Sequence, residues 1–277
     1  MDDGLLRSLL SEKLAIAVPL PSRSSIYRVP ETLRRHNEMA PNLVSIGPFH
    51  HGRARLQAME GMKLWYLKCL LDKLTPGKDL AYLICAIREQ ENFCRDCYDR
   101  NFDDLSSDEF VEMMLVDGCF IIELLRKQVL LSPLENDDAI FRTPRMLSTI
   151  TNDLLLVENQ LPWRVLDCLF EVTRVDDDDR RMSSLHELAY HVFQNPTFES
   201  RTYPNLSIEF GSSHLLETVR NFLVKSNVEV WNKDMEYRTP IPSVSELLEI
   251  GVKFVAASSN KGQLHITFQN GEMEIPQ

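Results

Sequence analysis

The sequence predicts a mainly α fold of packed helices, with a small antiparallel β hairpin or sheet near the C-terminus. Two observations predict the helices: apolar residues recur at three- and four-residue spacing along most of the chain, and residues 109–127 are apolar on almost every side. A third predicts the β part, because the last 25 or so residues alternate apolar with polar and carry the hairpin-favouring pair Asn270-Gly271. A composition of 44% hydrophobic and 26% charged residues is typical of a globular protein.

We predict one α-rich domain over residues 1–277. Residues 1–25 form an amphipathic helix and a connector, since the chain opens with two acids and no signal-peptide pattern is present. Residues 26–238 form the helical core, and residues 239–277 form a short helix followed by the β hairpin. The six cysteines lie mostly in apolar helical patterns, which favours buried free thiols.

The helices of the core begin and end at recognisable signals. One apolar stripe starts at Leu56 and ends before 75-TPGKD-79, and a second runs from Leu80 to Cys97. Ser106 and Glu109 have the spacing of a capping box before the central apolar helix.

Two more signals shape the second half of the chain. Pro162 predicts a break between two helices, because proline cannot donate the backbone hydrogen bond of a continuous helix. Ser184 and Glu187 predict another cap, and Gly251 predicts the end of the short helix before the strands.

The charge distribution argues against nucleic-acid binding and points to one basic segment. The net charge is −11, whereas a nucleic-acid binder presents a basic surface. Residues 22–68 nevertheless hold eight Lys or Arg against three acids. Either this segment lies on the acidic remainder of the chain, or its arginines bind an anionic ligand or an acidic partner. The arginines concerned are Arg28, Arg34, Arg35, Arg53 and Arg55.

The adjacent histidines His50 and His51 lie in a glycine- and proline-containing turn. Both could bind a metal, but a closed zinc site needs about four ligands, and the neighbouring sequence has no such pattern. We favour a tight structural turn in which Phe49 contacts the core and one imidazole caps backbone groups.

Two acids are candidates for buried carboxylates. Asp117 lies within the apolar stripe of the central helix, where an unpaired charge would be costly, so it should be paired, hydrogen-bonded or protonated. We expect it to contact an arginine, such as Arg28, or the end of a loop; a general acid would need a second acid or a nucleophile beside it. Glu158 lies at the helix break, with Asn159 and Gln160, where polar side chains usually satisfy freed backbone groups.

No established catalytic motif is present in the sequence. There is no GxSxG serine, no phosphate-binding glycine loop and no HExxH pair. The pair Cys94 and Cys97 occurs late in its predicted helix, where core packing is favoured over redox chemistry. We therefore assign no catalytic, cofactor-binding or metal-binding residue and expect no cofactor.

Several segments together resemble the plant-specific domain of unknown function 247 family. They occur in order along nearly the whole chain and are 26-IYRVPETLR-34, 44-VSIGPFHHG-52, 59-MEGMKLWYL-67, 108-DEFVEMMLVDGCFIIEL-124, 153-DLLLVENQLPWRVL-166, 214-HLLETVR-220, 241-IPSVSELLEIGVKF-254 and 266-ITFQNGEMEIP-276. This chain has Met39-Ala40-Pro41 where the family usually carries a tyrosine, and Trp163-Arg164 where it carries two aromatic residues.

The resemblance implies a mostly helical protein with no established catalytic activity, some relatives of which act in self/non-self recognition in grasses. It also implies a hydrophobic C-terminal helix, absent after Gln277, that would hold the full-length protein to a membrane. This chain, taken as a truncated member, is expected to be cytoplasmic.

The leading hypothesis is a non-catalytic protein-interaction or recognition module with a protein partner. The alternative is an enzyme that uses a buried carboxylate, Asp117 or Glu158, with the His50/His51 turn. The enzyme requires one of these acids to share a cleft with the histidines, whereas the module predicts that each is satisfied separately. A third hypothesis, an anion receptor, requires the arginines to be clustered and free of acidic partners.

Overall fold

The computed structural model describes residues 24–34, 39–130, 138–174, 184–193, 212–225, 242–256 and 266–275. The described residues divide into two compact units, the first within 1–179 and 213–216, the second within 180–212 and 217–277. The single domain predicted over the whole chain stays a prediction. The predicted N-terminal helix and Arg35 lie outside the described residues.

The predicted mainly α fold with a small C-terminal sheet is confirmed. The described residues form ten α-helices and three strands. The helices are α1 Glu60–Leu71, α2 Leu80–Arg88, α3 Glu91–Asp96, α4 Ser107–Leu130, α5 Ala139–Arg142, α6 Pro144–Asp153, α7 Trp163–Val172, α8 Leu185–Phe193, α9 Leu215–Lys225 and α10 Val244–Glu249, and the strands are β1 Lys253–Ala256, β2 Thr267–Gln269 and β3 Glu272–Ile275.

Helix α4 is the centre of the first unit, as its apolar sequence predicts. The predicted capping box is present: the Ser106 amide donates to Glu109 Oε2 at 2.9 Å, and the Glu109 amide donates to Ser106 Oγ at 3.3 Å. The helix packs against α1, α2 and α7. Gly118 lies at the contact with α7, where a Cβ atom would come within 2.3 Å of Leu169 Cδ1. The absence of a side chain therefore allows the two helices to approach closely.

The stripe predicted from Leu80 to Cys97 folds as two helices, α2 and α3. Asp79 caps α2 by accepting from the Tyr82 amide at 2.9 Å. The prediction of one continuous helix was wrong, because the chain turns at residues 89–90. The later residues of the stripe are buried as predicted, whereas Leu80 at its start is exposed.

The break at Pro162 is confirmed, since α6 ends at Asp153 and α7 begins at Trp163. Nine residues, 154–162, separate the two helices, and Glu158, Asn159 and Gln160 within them are buried. This buried connection positions most of the candidate site.

The second unit contains α8, most of α9, α10 and a three-stranded mixed sheet. Tyr190 and Phe222 pack edge to face with ring centroids 5.3 Å apart. Gly251 ends α10 with a φ of 92°, as the sequence predicts. The predicted hairpin joins β2 and β3 through Asn270 and Gly271, both with positive φ, and β1 adds to β3 in parallel. Within the described ranges, no helix is long and apolar enough to cross a membrane.

Candidate functional site

The turn that carries the two histidines is held by buried polar side chains. We call residues 42–52 the signature turn. Asp153, the last residue of α6, accepts hydrogen bonds from the backbone amides of Asn42 at 2.8 Å, Leu43 at 2.7 Å and Val44 at 3.0 Å. One carboxylate thus satisfies three successive amides that belong to no helix or sheet.

Asn159 and Gln160 serve the backbone as predicted for a helix break. Asn159 accepts from the Ile46 amide at 2.8 Å and donates to the carbonyls of Val44 and Asp153 at 3.1 and 2.9 Å. Gln160 donates to two carbonyls freed by the break, those of residues 154 and 156, at 2.7 and 2.8 Å. Both side chains are buried, so the hydrogen bonds fix the connection against the signature turn.

Asp117 of α4 completes the support of the signature turn. Its Oδ2 accepts from the Gly47 amide at 2.8 Å, and its Oδ1 accepts from Lys63 Nζ at 2.6 Å. Lys63 is itself fully buried and also pairs with Glu60 at 2.8 Å. The expected contact with the end of a loop is confirmed at Gly47. The expected contact with an arginine such as Arg28 was wrong, because the buried cation is Lys63 of α1.

Burial and pairing act in opposite directions on this ion pair. Burial raises the pKa of Asp117 above its ordinary value, against the opposing effects of Lys63 and the Gly47 amide. Burial alone would lower the pKa of Lys63, but Asp117 and Glu60 together raise it. Lys63 therefore stays protonated and supplies the cation that this buried carboxyl group requires.

Gly47 is required at its position by both conformation and space. Its φ is 70°, in the left-handed region that favours glycine, and a Cβ atom would lie 2.6 Å from the carbonyl oxygen of Gln160. The next aromatic residue, Phe49, packs edge to face on Tyr98 and Phe102, with ring centroids 5.9 and 5.3 Å apart. The predicted role of Phe49 as an anchor is confirmed.

Glu158 holds the N-terminal segment, residues 24–34, against the rest of the first unit. Its Oε1 accepts from the Val29 amide at 2.7 Å and from the Arg34 guanidinium, which forms an ion pair with it. Nearby, the Arg28 amide donates to Asp99 Oδ2 at 2.9 Å. Glu158 is 2% exposed, so it acts within the interior as a clamp on this segment.

His50 lies next to Glu158 and is fully buried. Its Nε2 is 3.5 Å from Glu158 Oε2, too long for a strong hydrogen bond, and neither ring nitrogen has a hydrogen-bond partner within the described part of the chain. Burial, with the positive charges of four arginines, lowers the pKa of His50 to about 4. The imidazole is therefore neutral at pH 7. The predicted capping of the turn by an imidazole was wrong, since the carboxylates of Asp117 and Asp153 perform it.

His51, in contrast, is exposed and lines a cleft of about 280 Å³. Glu158 lines the same cleft, whereas Asp117 does not. The structure thus brings Glu158 and the two histidines together and leaves Asp117 in a separate, satisfied pair. The proximity that the enzyme hypothesis requires is met for one acid and not for the other.

The predicted basic residues divide into paired and unpaired groups. Arg34 pairs with Glu158, and Arg35 lies outside the described residues. Arg28 and Arg53 line the cleft, together with Arg100. Over the described ranges, no side-chain hydrogen bond or ion pair to an acid involves the guanidinium of Arg28, Arg53, Arg55 or Arg100. The guanidinium carbon of Arg100 lies 5.3 Å from the centre of the Phe102 ring.

Neither a reactive thiol pair nor a metal site is found in the described parts of the chain. Cys94 and Cys97 are buried free thiols, and burial raises the pKa of Cys94 to about 12, which disfavours the reactive thiolate. Among the residues that the structure describes, no group of three or more His, Cys, Asp or Glu side chains could hold a metal ion.

Three residues of the site were not identified from the sequence. Lys63 is four residues from both Met59 and Leu67, so its place on the buried face of α1 was detectable from helical spacing. The sequence indicated the role of Asp153 less clearly, since it showed only an acid at the end of a predicted helix. No sequence pattern indicated the role of Arg100, because its proximity to Arg28 and Arg53 depends on tertiary contacts alone.

Comparisons with known proteins find plant relatives along most of the chain. A family model described as a plant protein of unknown function, domain of unknown function 247, matches residues 26–277. The chain is 29% identical over 278 residues to UPF0481 protein At3g47200 of Arabidopsis thaliana, covering 91% of this chain and 56% of that protein. It is 28% identical over 144 residues to the putative UPF0481 protein At3g02645 of the same plant, covering 51% of this chain and 26% of that protein.

The chain therefore spans about half of one curated relative and about a quarter of the other. No solved structure matches it significantly.

Proposed function

This chain belongs to the plant domain of unknown function 247 family, and we propose that it is a non-catalytic protein-interaction and recognition module. Its binding face, in this proposal, is formed by the N-terminal segment and the signature turn around the basic cleft. The partner is a protein, and the setting is self/non-self recognition or signalling, as the resemblance implies for some relatives.

The observation that carries the proposal is the use of the buried polar side chains. Asp153, Asn159 and Asp117 each hydrogen-bond backbone amides of the signature turn, and Glu158 holds the N-terminal segment. Side chains that could act as acids or bases are therefore hydrogen-bonded to the backbone, where they fix the shape of the surface. A rigid, preorganised surface favours binding because less conformational entropy is lost when a partner docks.

The charge of this face supports a binding role. Arg53 and Arg55 are exposed on or beside the turn, while the chain as a whole carries a net charge of −11. A basic patch on an acidic protein attracts acidic groups of a partner and orients their approach. We further propose that this chain is cytoplasmic and that full-length members of the family are attached to a membrane.

The test is affinity capture from plant tissue with the 277-residue chain as bait. The variant is Arg53→Glu/Arg55→Glu, and its matched control is Arg142→Glu/Arg145→Glu, which changes the same charge at two exposed arginines away from the cleft. Circular dichroism checks that both variants fold. We expect a specific protein retained by the wild type and the control and reduced about tenfold or more for the variant.

Equal capture by all three baits would contradict the proposed face. Failure to capture any specific protein would contradict the interaction module itself, provided that the bait is folded.

The alternative function, an enzyme, is favoured by one observation. His50 Nε2 is 3.5 Å from Glu158 Oε2, and His51 shares the cleft with Glu158. A neutral imidazole beside a carboxylate is an arrangement that can transfer protons. Asp117 has no part in this version, because it is paired with Lys63 away from the cleft.

The enzyme is tested by incubating the chain with a plant metabolite extract and following composition by mass spectrometry. The variant is His51→Ala, and the control is His191→Ala, since both histidines are exposed. Conversion of a metabolite that is lost only in His51→Ala would support the enzyme. Absence of any conversion by the wild type, or equal conversion by both variants, would reject this site.

A further inference from the structure

The cleft beside the signature turn has an unusual charge for this acidic protein. Three arginines line it, Arg28, Arg53 and Arg100, against two acids, Asp104 and Glu158. One of these acids, Glu158, is already paired with Arg34. Positive charge therefore exceeds negative charge at the cleft.

The arginines also act on one another and on the neighbouring histidine. Burial, and then the charge of Arg55, lowers the pKa of Arg53 below its ordinary value; Arg34 and Arg28 add to this effect, and Glu158 opposes it. The same positive charges add to burial in lowering the pKa of His50. A bound anion offsets the repulsion between neighbouring guanidinium groups, so the arrangement favours anion binding.

The remaining wall of the cleft is apolar. Phe49 and Phe102 pack edge to face with centroids 5.3 Å apart, and Pro48 and Leu105 lie beside them. The volume of about 280 Å³ is at the small end for ligand pockets, suited to one side chain or a small molecule and not to an extended cofactor.

We propose that this cleft binds an aryl phosphate monoester, with the phosphate held by Arg28, Arg53 and Arg100 and the ring against Phe49 and Phe102. A phosphate monoester carries nearly two negative charges at pH 7 and three acceptor oxygens, and guanidinium groups bind such oxygens in bidentate geometry. A ring placed against aromatic edges buries apolar surface that inorganic phosphate lacks.

Two sources share this chemistry, a phosphotyrosine side chain of a partner protein and a free small aryl phosphate. The first source deepens the proposed recognition function and rests on it, while the second does not require a protein partner. Direct binding measurements with defined probes separate the ligand site from the question of the partner.

The experiment is isothermal titration calorimetry on the full 277-residue chain with phenyl phosphate, inorganic phosphate and N-acetyl-phosphotyrosine amide. The variants are Arg53→Ala and Arg100→Ala, with Arg145→Ala as the matched control, since all three arginines are exposed. We expect phenyl phosphate to bind at least about tenfold more tightly than inorganic phosphate, and each cleft variant to lose about tenfold or more in affinity. The control should bind as the wild type does.

The affinity for N-acetyl-phosphotyrosine amide distinguishes the two sources of the aryl phosphate. Tighter binding of the phosphotyrosine amide than of phenyl phosphate assigns a protein side chain, and equal or weaker binding assigns a small aryl phosphate. Either result supports the phosphate site.

Three results would overturn the proposal. One is the absence of saturable binding of phenyl phosphate at concentrations of about 5 mM. Another is an equal loss of affinity in Arg145→Ala and the cleft variants, which would indicate attraction by overall charge. The third is inorganic phosphate binding as tightly as phenyl phosphate, which would remove the role of Phe49 and Phe102. A partner retained in the affinity capture without aryl phosphate binding would refute this inference and leave the proposed function standing.

Discussion

Replacement of Lys63 by methionine is the most direct test of how the signature turn is supported. Lys63 Nζ lies 2.6 Å from Asp117 Oδ1, and the two side chains are 0% and 2% exposed. Methionine preserves most of the apolar stem but leaves the carboxyl group of Asp117 buried without its cation. Breaking a buried ion pair in this way costs about 3–5 kcal/mol of unfolding free energy, a large part of the roughly 5–15 kcal/mol typical of a protein.

The second replacement, Asp117→Asn, separates the ion pair from the hydrogen bond to the turn. An asparagine oxygen can still accept from the Gly47 amide, and Lys63 keeps Glu60 at 2.8 Å, where Glu60 is 36% exposed. Asp117→Asn should therefore cost less than Lys63→Met. The double variant no longer buries an unpaired charge, so its cost should be at least about 2 kcal/mol below the sum of the single costs.

The assay is urea unfolding followed by circular dichroism, with the transition midpoint and slope fitted for each protein. The control is Lys68→Met, the same substitution at an exposed position of α1, expected to change the free energy by no more than about 0.5 kcal/mol. If Lys63→Met costs no more than Lys68→Met, the ion pair is not a buried support of the signature turn. Additive costs in the double variant would show that the two residues do not interact.

Two further predictions concern His50 and Asp153. With an ordinary pKa of 6.5 in the unfolded chain and about 4 in the folded protein, His50 takes up its proton first in the unfolded state, so stability present above pH 6.5 is lost as pH falls toward 4. Between pH 8 and pH 5 the loss of unfolding free energy from His50 is about 2 kcal/mol. The unfolding free energy of His50→Gln should therefore fall by about 2 kcal/mol less than that of the wild type over this range. An unchanged pH dependence would show that His50 is not the responsible group. Asp153→Asn leaves only one acceptor oxygen for three amides, so thermal and urea unfolding should show a loss of about 2–3 kcal/mol, and a loss below about 0.5 kcal/mol would mean that those amides have other acceptors.

Most of the secondary structure was predictable because its signals are local. Apolar spacing identified α4, the capping box at Ser106 identified its start, and Asn270-Gly271 identified the hairpin. The split between α2 and α3 was missed because Cys94 follows Ile87 by seven residues, a spacing that also fits one unbroken helix, whereas the backbone turns at the polar residues 89–90. A pattern of burial does not specify an unbroken helix when both helices face the same core.

The candidate site was predictable only in part. The role of Asn159 and Gln160 followed from the break at Pro162, since a broken helix leaves nearby carbonyls and amides to be satisfied. That Asp117 would have a partner followed from the cost of burying a charge, but the partner, Lys63, did not, because 54 residues separate the two.

By itself, the sequence determined the helical fold, the C-terminal hairpin and the need for Asp117 and Glu158 to be satisfied, because spacing, caps and burial costs are properties of neighbouring residues. Only the tertiary structure decided that Asp117 supports Gly47 while Glu158 faces the histidines, and that Arg100 joins Arg28 and Arg53 at one cleft. Pairing between distant side chains depends on how the helices pack, and many pairings satisfy the same local rules. The proposed binding face depends on these long-range pairings, which is why the sequence could name its residues only in part.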